Sequence, residues 1–179
     1  MSVTVRTATL SDAALLHDLA AVTFALACPP GTTPESIEEF VATNLSRERF
    51  AGYLADPERQ LIVVEHNGTA AGYSMLVYAD STDPDVLQAL TVHPSAELSK
   101  LYVVAGAHGA GVGAALMEAS VDAAVQRGFA SVWLGVNREN LRANRFYEKQ
   151  EFRVVGEKKF ALGGRLEEDY VRERIIHLR

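Results

Sequence analysis

The sequence predicts a single α/β domain built on one mixed, mostly antiparallel sheet flanked by helices. Three observations carry that expectation. Short runs with the two-residue alternation of a strand are interleaved with longer runs whose apolar residues recur at three and four. Two tight-turn pairs, Asn67-Gly68 and Gly163-Gly164, each lie between strand-like runs and so mark hairpins. The chain has 179 residues with no repeat, linker or biased segment, the size of one domain with one well-buried core.

Taken in order, Ser2–Ala8 alternates and predicts the first strand. Thr9 or Ser11 caps a helix that runs to about Leu26, with Leu15, Leu16, Leu19, Val22 and Phe24 as its apolar surface. Cys28–Thr32 breaks it. Thr33-Pro34-Glu35 starts a second helix with proline in the first turn, and Ile37, Phe40, Val41 and Leu45 form its inner face. Ser46 caps a short third helix carrying Phe50 and Leu54, which stops at Asp56-Pro57. Leu61–Glu65 and Ala70–Tyr78 are strands of the first hairpin, and Asp80–Pro94 reads as an irregular link. Leu98, Leu101, Val103 and Val104 mark a buried central strand with Glu97 at its start. A glycine- and alanine-rich loop, Ala105–Ala110, leads into a helix from Gly111 that ends at Gly128. Ala130–Val136 is nearly continuous apolar, as in a strand covered on both faces; Asn140–Lys149 is a helix, and Phe152–Leu162 with Arg165–His177 closes the sheet as a hairpin.

Bulk properties narrow the functional classes. A net charge of −6 speaks against general nucleic-acid binding, which depends on a basic surface. No stretch reaches the roughly 18 apolar residues of a membrane span, and the N-terminus alternates instead of showing a basic region and an apolar run. The single cysteine, Cys28, forms no internal disulfide, which fits a reducing cytoplasm. It sits before Pro29-Pro30-Gly31 with no histidine near in sequence, so packing is favoured over a nucleophilic role. The five histidines, at 17, 66, 93, 108 and 177, show no ligand spacing, and no metal site is expected.

The stretch from Glu97 to Leu116 concentrates the chemistry. A strand, a glycine-rich turn and a helix in that order form an anion cradle: glycines at 109, 111 and 113 let the backbone approach a phosphate, and the unpaired N–H groups of the first helical turn point at it. A dinucleotide fingerprint fits poorly, since the string comes late and has no convincing acidic residue about 20 positions on. No Lys-Ser/Thr pair follows the glycines, which excludes a P-loop.

His108-Gly109-Ala110-Gly111-Val112-Gly113 resembles the Arg/Gln-x-x-Gly-x-Gly/Ala signature of the GNAT acyltransferases, with histidine in the Arg/Gln place. Some thirty residues on, Asn140-Leu141-Arg142-Ala143-Asn144-Arg145-Phe146-Tyr147-Glu148-Lys149-Gln150-Glu151-Phe152 resembles that family's second motif, N-x-x-A-x-x-F-Y-x-x-x-G-F. Glu151 stands where glycine usually supplies a left-handed helix cap, so this helix must end differently or carry strain. The resemblance covers roughly Leu61 to the C-terminus.

The resemblance implies one GNAT-type domain over residues 1–179, with splayed central strands, that transfers an acetyl group from acetyl-CoA to an amine. By the same resemblance Leu101, Val103 and Val104 would meet the pantetheine arm with their main chain, an N–H near Val103 would face the acyl oxygen, and Gly109 to Ala114 (Gly109, Ala110, Gly111, Val112, Gly113, Ala114) would hold the pyrophosphate. His108 either touches a phosphate or is a solvated loop residue. Asn140 would reach the cofactor arm, cap its helix, or do both; Ala143 would also contact the cofactor; Lys149 would approach the adenosine 3′-phosphate or is an ordinary exposed lysine. Tyr147 would protonate the departing thiolate, with aromatic core as the alternative, and Glu97 would be the general base or a structural carboxylate. His93 and Tyr53 are weaker candidates, suggested by residue type alone.

The early helices would wall the acceptor site. Thr23-Phe24, Leu101-Tyr102-Val103, Trp133-Leu134-Gly135-Val136, and Phe160–Gly164 followed by Asp169 resemble the branch of the family that acetylates polyamines. Acidic residues at 35, 38, 39, 80, 83 and 85 either attract such a polycation or are simply solvated. The alternatives are acetylation of a protein N-terminus, an amino acid or an antibiotic amine, and a regulatory module that binds the acyl-CoA without turnover. The closing hairpin has an exposed tip able to meet a partner chain, which predicts a homodimer.

Overall fold

In the computed structural model, which describes residues 2–176, the chain runs β1 (Val3–Thr7), α1 (Ala13–Ala27), α2 (Pro34–Asn44), α3 (Arg47–Ala55), β2 (Arg59–His66), β3 (Thr69–Val77), α4 (Pro84–Ala89), β4 (Ser95–Val103), α5 (Val112–Gln126), β5 (Ser131–Asn137), α6 (Leu141–Lys149), β6 (Arg153–Leu162) and β7 (Arg165–Ile175). The seven strands form one sheet in the order β1-β2-β3-β4-β5-β7-β6. Every neighbouring pair is antiparallel except β4 with β5. Asn67 and Gly68 both take positive φ at the β2–β3 turn, the geometry the Asn-Gly pair predicts. The last strand ends at Ile175, and His177 lies outside the described residues.

The sheet separates two cores. On one face α5 packs Val112, Leu116, Met117, Val121 and Ala124 against Val64, Leu76, Leu98, Val132 and Leu134. On the other, Leu16, Leu19, Ala20 and Phe24 of α1, Val41 of α2 and Phe50 of α3 cover Leu61, Val63, Tyr73 and Met75. Along β2 and β3 these residues alternate between the faces, so a two-residue period divides one sheet between two cores.

Three local features depart from the sequence expectation. Thr9 precedes a 3-10 turn, Leu10–Asp12, rather than α1 itself; the Asp12 carboxylate accepts from the Thr9 N–H at 2.8 Å and pairs with both Arg6 guanidinium nitrogens at 2.9 Å. The link Asp80–Pro94 contains α4, capped where Asp83 accepts from the Asp85 N–H, with Pro84 in the first turn. Six residues with only Val86 buried are too few to display a helical period. Leu10–Ala27 is 18 residues with mean hydropathy 1.4, enough by length and composition to cross a membrane, contrary to the expectation that no stretch is. About a third of it is buried, the α1 face that packs on the sheet, while Leu10, Val22 and Leu26 are exposed.

Helix α6 ends as the family pattern does despite Glu151. The Phe152 N–H donates to the Tyr147 carbonyl and the Glu151 N–H to the Glu148 carbonyl, both at 3.0 Å, a Schellman termination. Glu151 itself sits at φ 68°, the left-handed pocket where a Cβ is strained. Of the two outcomes open to this turn, strain is the one realised.

Candidate active site

The site begins where two strands part. β4 and β5 pair only over Ser95–Glu97 and Ser131–Trp133, after which β4 runs on to Val103 with no strand on that edge. A bulge at Ser99, between the pairs Leu98–Leu76 and Lys100–Met75, bends β4 at this point. The bulge also shifts the alternation: Ala96 and Leu98 before it, and Leu101 and Val103 after it, face α5. Glu97, Lys100 and Tyr102 therefore share the opposite face.

Ladder parity decides which amides are free. The Val104 N–H donates to the Ala71 carbonyl at 2.8 Å, so Tyr102 and Val104 turn their main-chain groups to β3 and Leu101 and Val103 turn theirs to the gap. Val104 is thus committed within the sheet and leaves the pantetheine-facing set. The Val103 carbonyl is taken by His108 Nε2 at 2.8 Å. The Leu101 and Val103 N–H groups face the open edge.

A 3-10 turn over Ala105–Ala107 lifts the chain out of the sheet, and Gly109 (φ 82°) and Gly111 (φ 78°) turn it back into α5. The first-turn amides of α5 have no intrahelical acceptor and point into the gap with the positive end of the helix dipole. A Cβ on Gly113 would meet the Phe146 ring at 3.5 Å, so α5 and α6 approach closely beside the loop. Val112 is fully buried, so its side chain is core and only its N–H is available. Ala110 packs against the α5 core and does not line the cavity.

His108 is not a free loop residue. Nε2–H donates to the Val103 carbonyl, and Nδ1 meets the Arg142 guanidinium on α6. The cation beside the glycine loop is Arg142, which the motif treats as a variable position. Asn140 caps α6 by accepting from the Ala143 N–H at 3.1 Å, and both residues line the gap. Lys149 is exposed and away from the cavity.

One continuous cavity of about 630 Å3 runs from the glycine loop through the gap to the α1–α2 face. Its loop half is lined by His108, Gly109, Gly111, Gly113, Ala114 and Asn140. Its other half is lined by Glu97, Lys100, Tyr102, Cys28, Lys158 and Asp169, with Phe24, Phe40 and Phe160 as an aromatic wall. The Phe24 and Phe40 rings stack at 4.4 Å, and Phe160 meets Phe40 edge-on at 6.0 Å. Tyr147 stands between the halves, held against Phe146 and Phe152.

The electrostatics of this chamber are set by burial. Desolvation raises the Glu97 carboxyl above the ordinary range, opposed by the positive charges of Lys158, Lys100 and Arg59. Burial lowers the Lys100 ammonium to about 8, with Glu97 pulling the other way. Tyr147 is pushed up to about 12 by burial, so its hydroxyl keeps its proton at neutral pH. Cys28 is pushed up to about 11 by the same cause, and its thiol donates to the Phe24 carbonyl, which suits packing and not nucleophilic attack.

Sequence reasoning did not single out Lys158 or Lys100, and it noted Asp169 only within a loose resemblance. They reach the chamber from β6, β4 and β7, and only Gly135, a glycine inside an apolar strand, hints at the crossing. Tyr53 donates to the Asn44 carbonyl at 3.0 Å, and neither it nor His93 lines the cavity. The acidic residues at 35, 38, 39, 80, 83 and 85 also lie outside the lining.

Comparison with known proteins gives a consistent result. The model of the acetyltransferase (GNAT) family matches residues 23–152. An uncharacterized N-acetyltransferase of Mycobacterium tuberculosis is 46% identical over 165 residues, 92% of this chain and 98% of that protein. The PaiA N-acetyltransferase of Thermoplasma acidophilum, solved in complex with coenzyme A, superposes with a TM-score of 0.77 at 19% identity, covering 98% of this chain and 100% of that one. The spermidine/spermine N-acetyltransferase SpeG of Vibrio cholerae, solved as mutant forms, superposes at 0.65 and 19% identity over 97% of this chain and 95% of that one. At those identities the structural likenesses establish the fold.

Proposed function

The chain belongs to the acetyltransferase (GNAT) family, an acetyl-CoA-dependent acyltransferase acting on an amine, and from that premise we propose that its acceptor is the primary amine of a small molecule that attacks directly while both substrates are bound. The observation that carries this reading is the parted edge of β4. Main-chain donors open onto it beside the glycine loop, and Glu97 and Tyr147 line the same cavity.

Acetyl-CoA supplies the acetyl group as a thioester. The chain's fit to it rests on the free Leu101 and Val103 amides for the pantetheine arm and on the amides of Val112, Gly113 and Ala114, with Arg142, for the pyrophosphate. The Val103 N–H, open on the parted edge, would donate to the acyl oxygen and stabilise negative charge there. Glu97, with its affinity for protons raised by burial, takes the proton from the acceptor ammonium, directly or through water. Tyr147 holds a proton to give to the leaving sulfur.

A polyamine-like acceptor is favoured. Two carboxylates, Glu97 and Asp169, and a wall of three phenylalanines suit an aliphatic chain carrying protonated nitrogens. A second reading, an acceptor that also bears an anionic group such as an amino acid, draws on Lys100, which lines the chamber and has no ion-pair partner within 4.0 Å among the described residues. A homodimer is proposed through the exposed β6–β7 end, where Leu166 stands 71% exposed; a monomer mass by light scattering would dismiss it.

The deciding experiment is free-thiol release from acetyl-CoA against polyamines, amino acids, aminoglycosides and short peptides. Release with polyamines above the others is expected. Coenzyme A binding with no release for any amine would point instead to a binding module.

A further inference from the structure

Helix α6 carries Asn140, Ala143 and Tyr147 to the gap, yet the one residue of the helix that is buried, Asn144, is polar. Its side-chain nitrogen donates to two carbonyls, that of Asn137 at the end of β5 (3.0 Å) and that of Asn140 at the helix N-cap (2.9 Å). Its side-chain oxygen accepts from Arg172 Nε on β7 at 3.1 Å. Carbonyls only accept and a guanidinium only donates, so this place requires a side chain with one group of each kind.

Arg172 is itself only 7% exposed, and its bonds go to neutral groups: Asn144 and, from its NH1 nitrogen, the Phe152 carbonyl at 2.7 Å. Burying a guanidinium against neutral acceptors costs desolvation that an apolar residue of like volume would avoid. What the arginine adds is a tie between the two ends of α6. Through Asn144 it reaches the N-cap and the end of β5, and through Phe152 it reaches the residue just past the helix. Phe152 in turn meets Tyr147 twice: its N–H donates to the Tyr147 carbonyl at 3.0 Å, and its ring stands edge-on to the Tyr147 ring at 6.1 Å. Asn144 lies one turn before Tyr147 on the same helix. β5 has lost β4 as a neighbour by this point, since the two pair only as far as Glu97 and Trp133, so the tie comes from β7, the neighbour it keeps.

We propose that Asn144 and Arg172 are positioning residues for acetyl transfer, a clasp that holds α6 to β5 and β7 beside the parted edge so that the Tyr147 hydroxyl meets the leaving sulfur. This deepens the transferase reading and rests on its assignment of Tyr147 as proton donor. Neither clasp residue lines the cavity, so both act through the helix they hold. Glu97 and the phenylalanine wall stand on β4, α1, α2 and β6, which the clasp does not hold. Its loss therefore falls on the chemical step and not on acceptor binding.

The test is steady-state thiol release from acetyl-CoA with the amine that gives the fastest release, alongside denaturant unfolding. Asn144→Ala should lower kcat on the order of 10²-fold, the effect of displacing a reacting group by about 1 Å, with the acceptor KM little changed. The pair Asn144→Leu with Arg172→Met replaces both polar groups by apolar ones of similar size. It should unfold near the wild-type midpoint and show the same loss of kcat, and it reads the clasp should Asn144→Ala fold poorly. Because the clasp acts through Tyr147, neither change should lower turnover further in a Tyr147→Phe background. Wild-type kcat in the folded apolar pair, or losses that add to that of Tyr147→Phe, would overturn the clasp and leave Tyr147 its role. Undiminished turnover in Tyr147→Phe, or no release with any amine, would sink the proton donor and the clasp together.

Discussion

On the α5 side of the parted strands the cavity wall is mostly main chain: the Leu101 and Val103 amides, two left-handed glycines and the first turn of a helix. On the α1 side it is side chain: Glu97 and Lys100 from β4, Lys158 from β6, Asp169 from β7 and phenylalanines from two helices and a strand. The first wall would recognise the proposed donor with groups every residue possesses, so its sequence need only permit a backbone path. The second depends on which charged side chains meet from separate strands. A recognisable glycine string beside a chamber assembled from separate strands is therefore what one enzyme with a fixed donor and an adjustable acceptor requires.

Substitutions can break that contrast, beginning with the residue between the walls. Tyr147→Phe should lower turnover on the order of 10²- to 10⁴-fold with acetyl-CoA affinity unchanged by calorimetry; undiminished turnover would remove the hydroxyl from proton transfer. Glu97→Gln should reduce kcat/KM by about 10²-fold. Because burial raises the Glu97 pKa, the wild-type rate should climb as pH rises through a value above the ordinary carboxylate range. That limb should vanish in the variant, and its persistence would assign proton removal to another group.

On the main-chain wall, Gly111→Ala forces a Cβ into φ 78°. It should cost about 1 kcal/mol of stability and weaken coenzyme A binding while leaving acceptor preference alone. Altered preference among amines at saturating acetyl-CoA would mean that the two walls are not separable. The smallest effect is expected at Glu151→Gly, which relieves a left-handed non-glycine residue. Relief is partly offset by the greater freedom of glycine in the unfolded chain, for a net gain of about 0.5 kcal/mol in denaturant unfolding. The Glu151–Arg174 contact at 3.8 Å is solvent-exposed on the glutamate side and contributes little against this. A loss of stability would show that the ion pair outweighs the strain.

Legibility followed the same division. His108–Gly113 and Asn140–Phe152 could be read because cradle and helix are each formed by one contiguous stretch, in which spacing dictates geometry. The same stretches misled where a side chain's role depends on what stands opposite. His108 read as a phosphate contact or a solvated loop residue, and its ring lies instead between the Val103 carbonyl and Arg142. Val104 looked like a pantetheine contact but bonds to Ala71. Lys149 stays exposed. The Lys158–Asp169 pair was legible only as the hint of Gly135, since it needs the β5-β7-β6 order to bring it to Glu97.

By itself the sequence determined the alternation of elements, the hairpin turns, the glycine-rich turn into α5 and the family, because each depends on local periodicity or on glycines at fixed offsets. Tertiary structure decided where β4 and β5 part, which amides are left free, and which charges face one another across the acceptor chamber. Those outcomes depend on strand order, one bulge and the crossing of side chains from distant strands, and short-range spacing along a chain does not encode them.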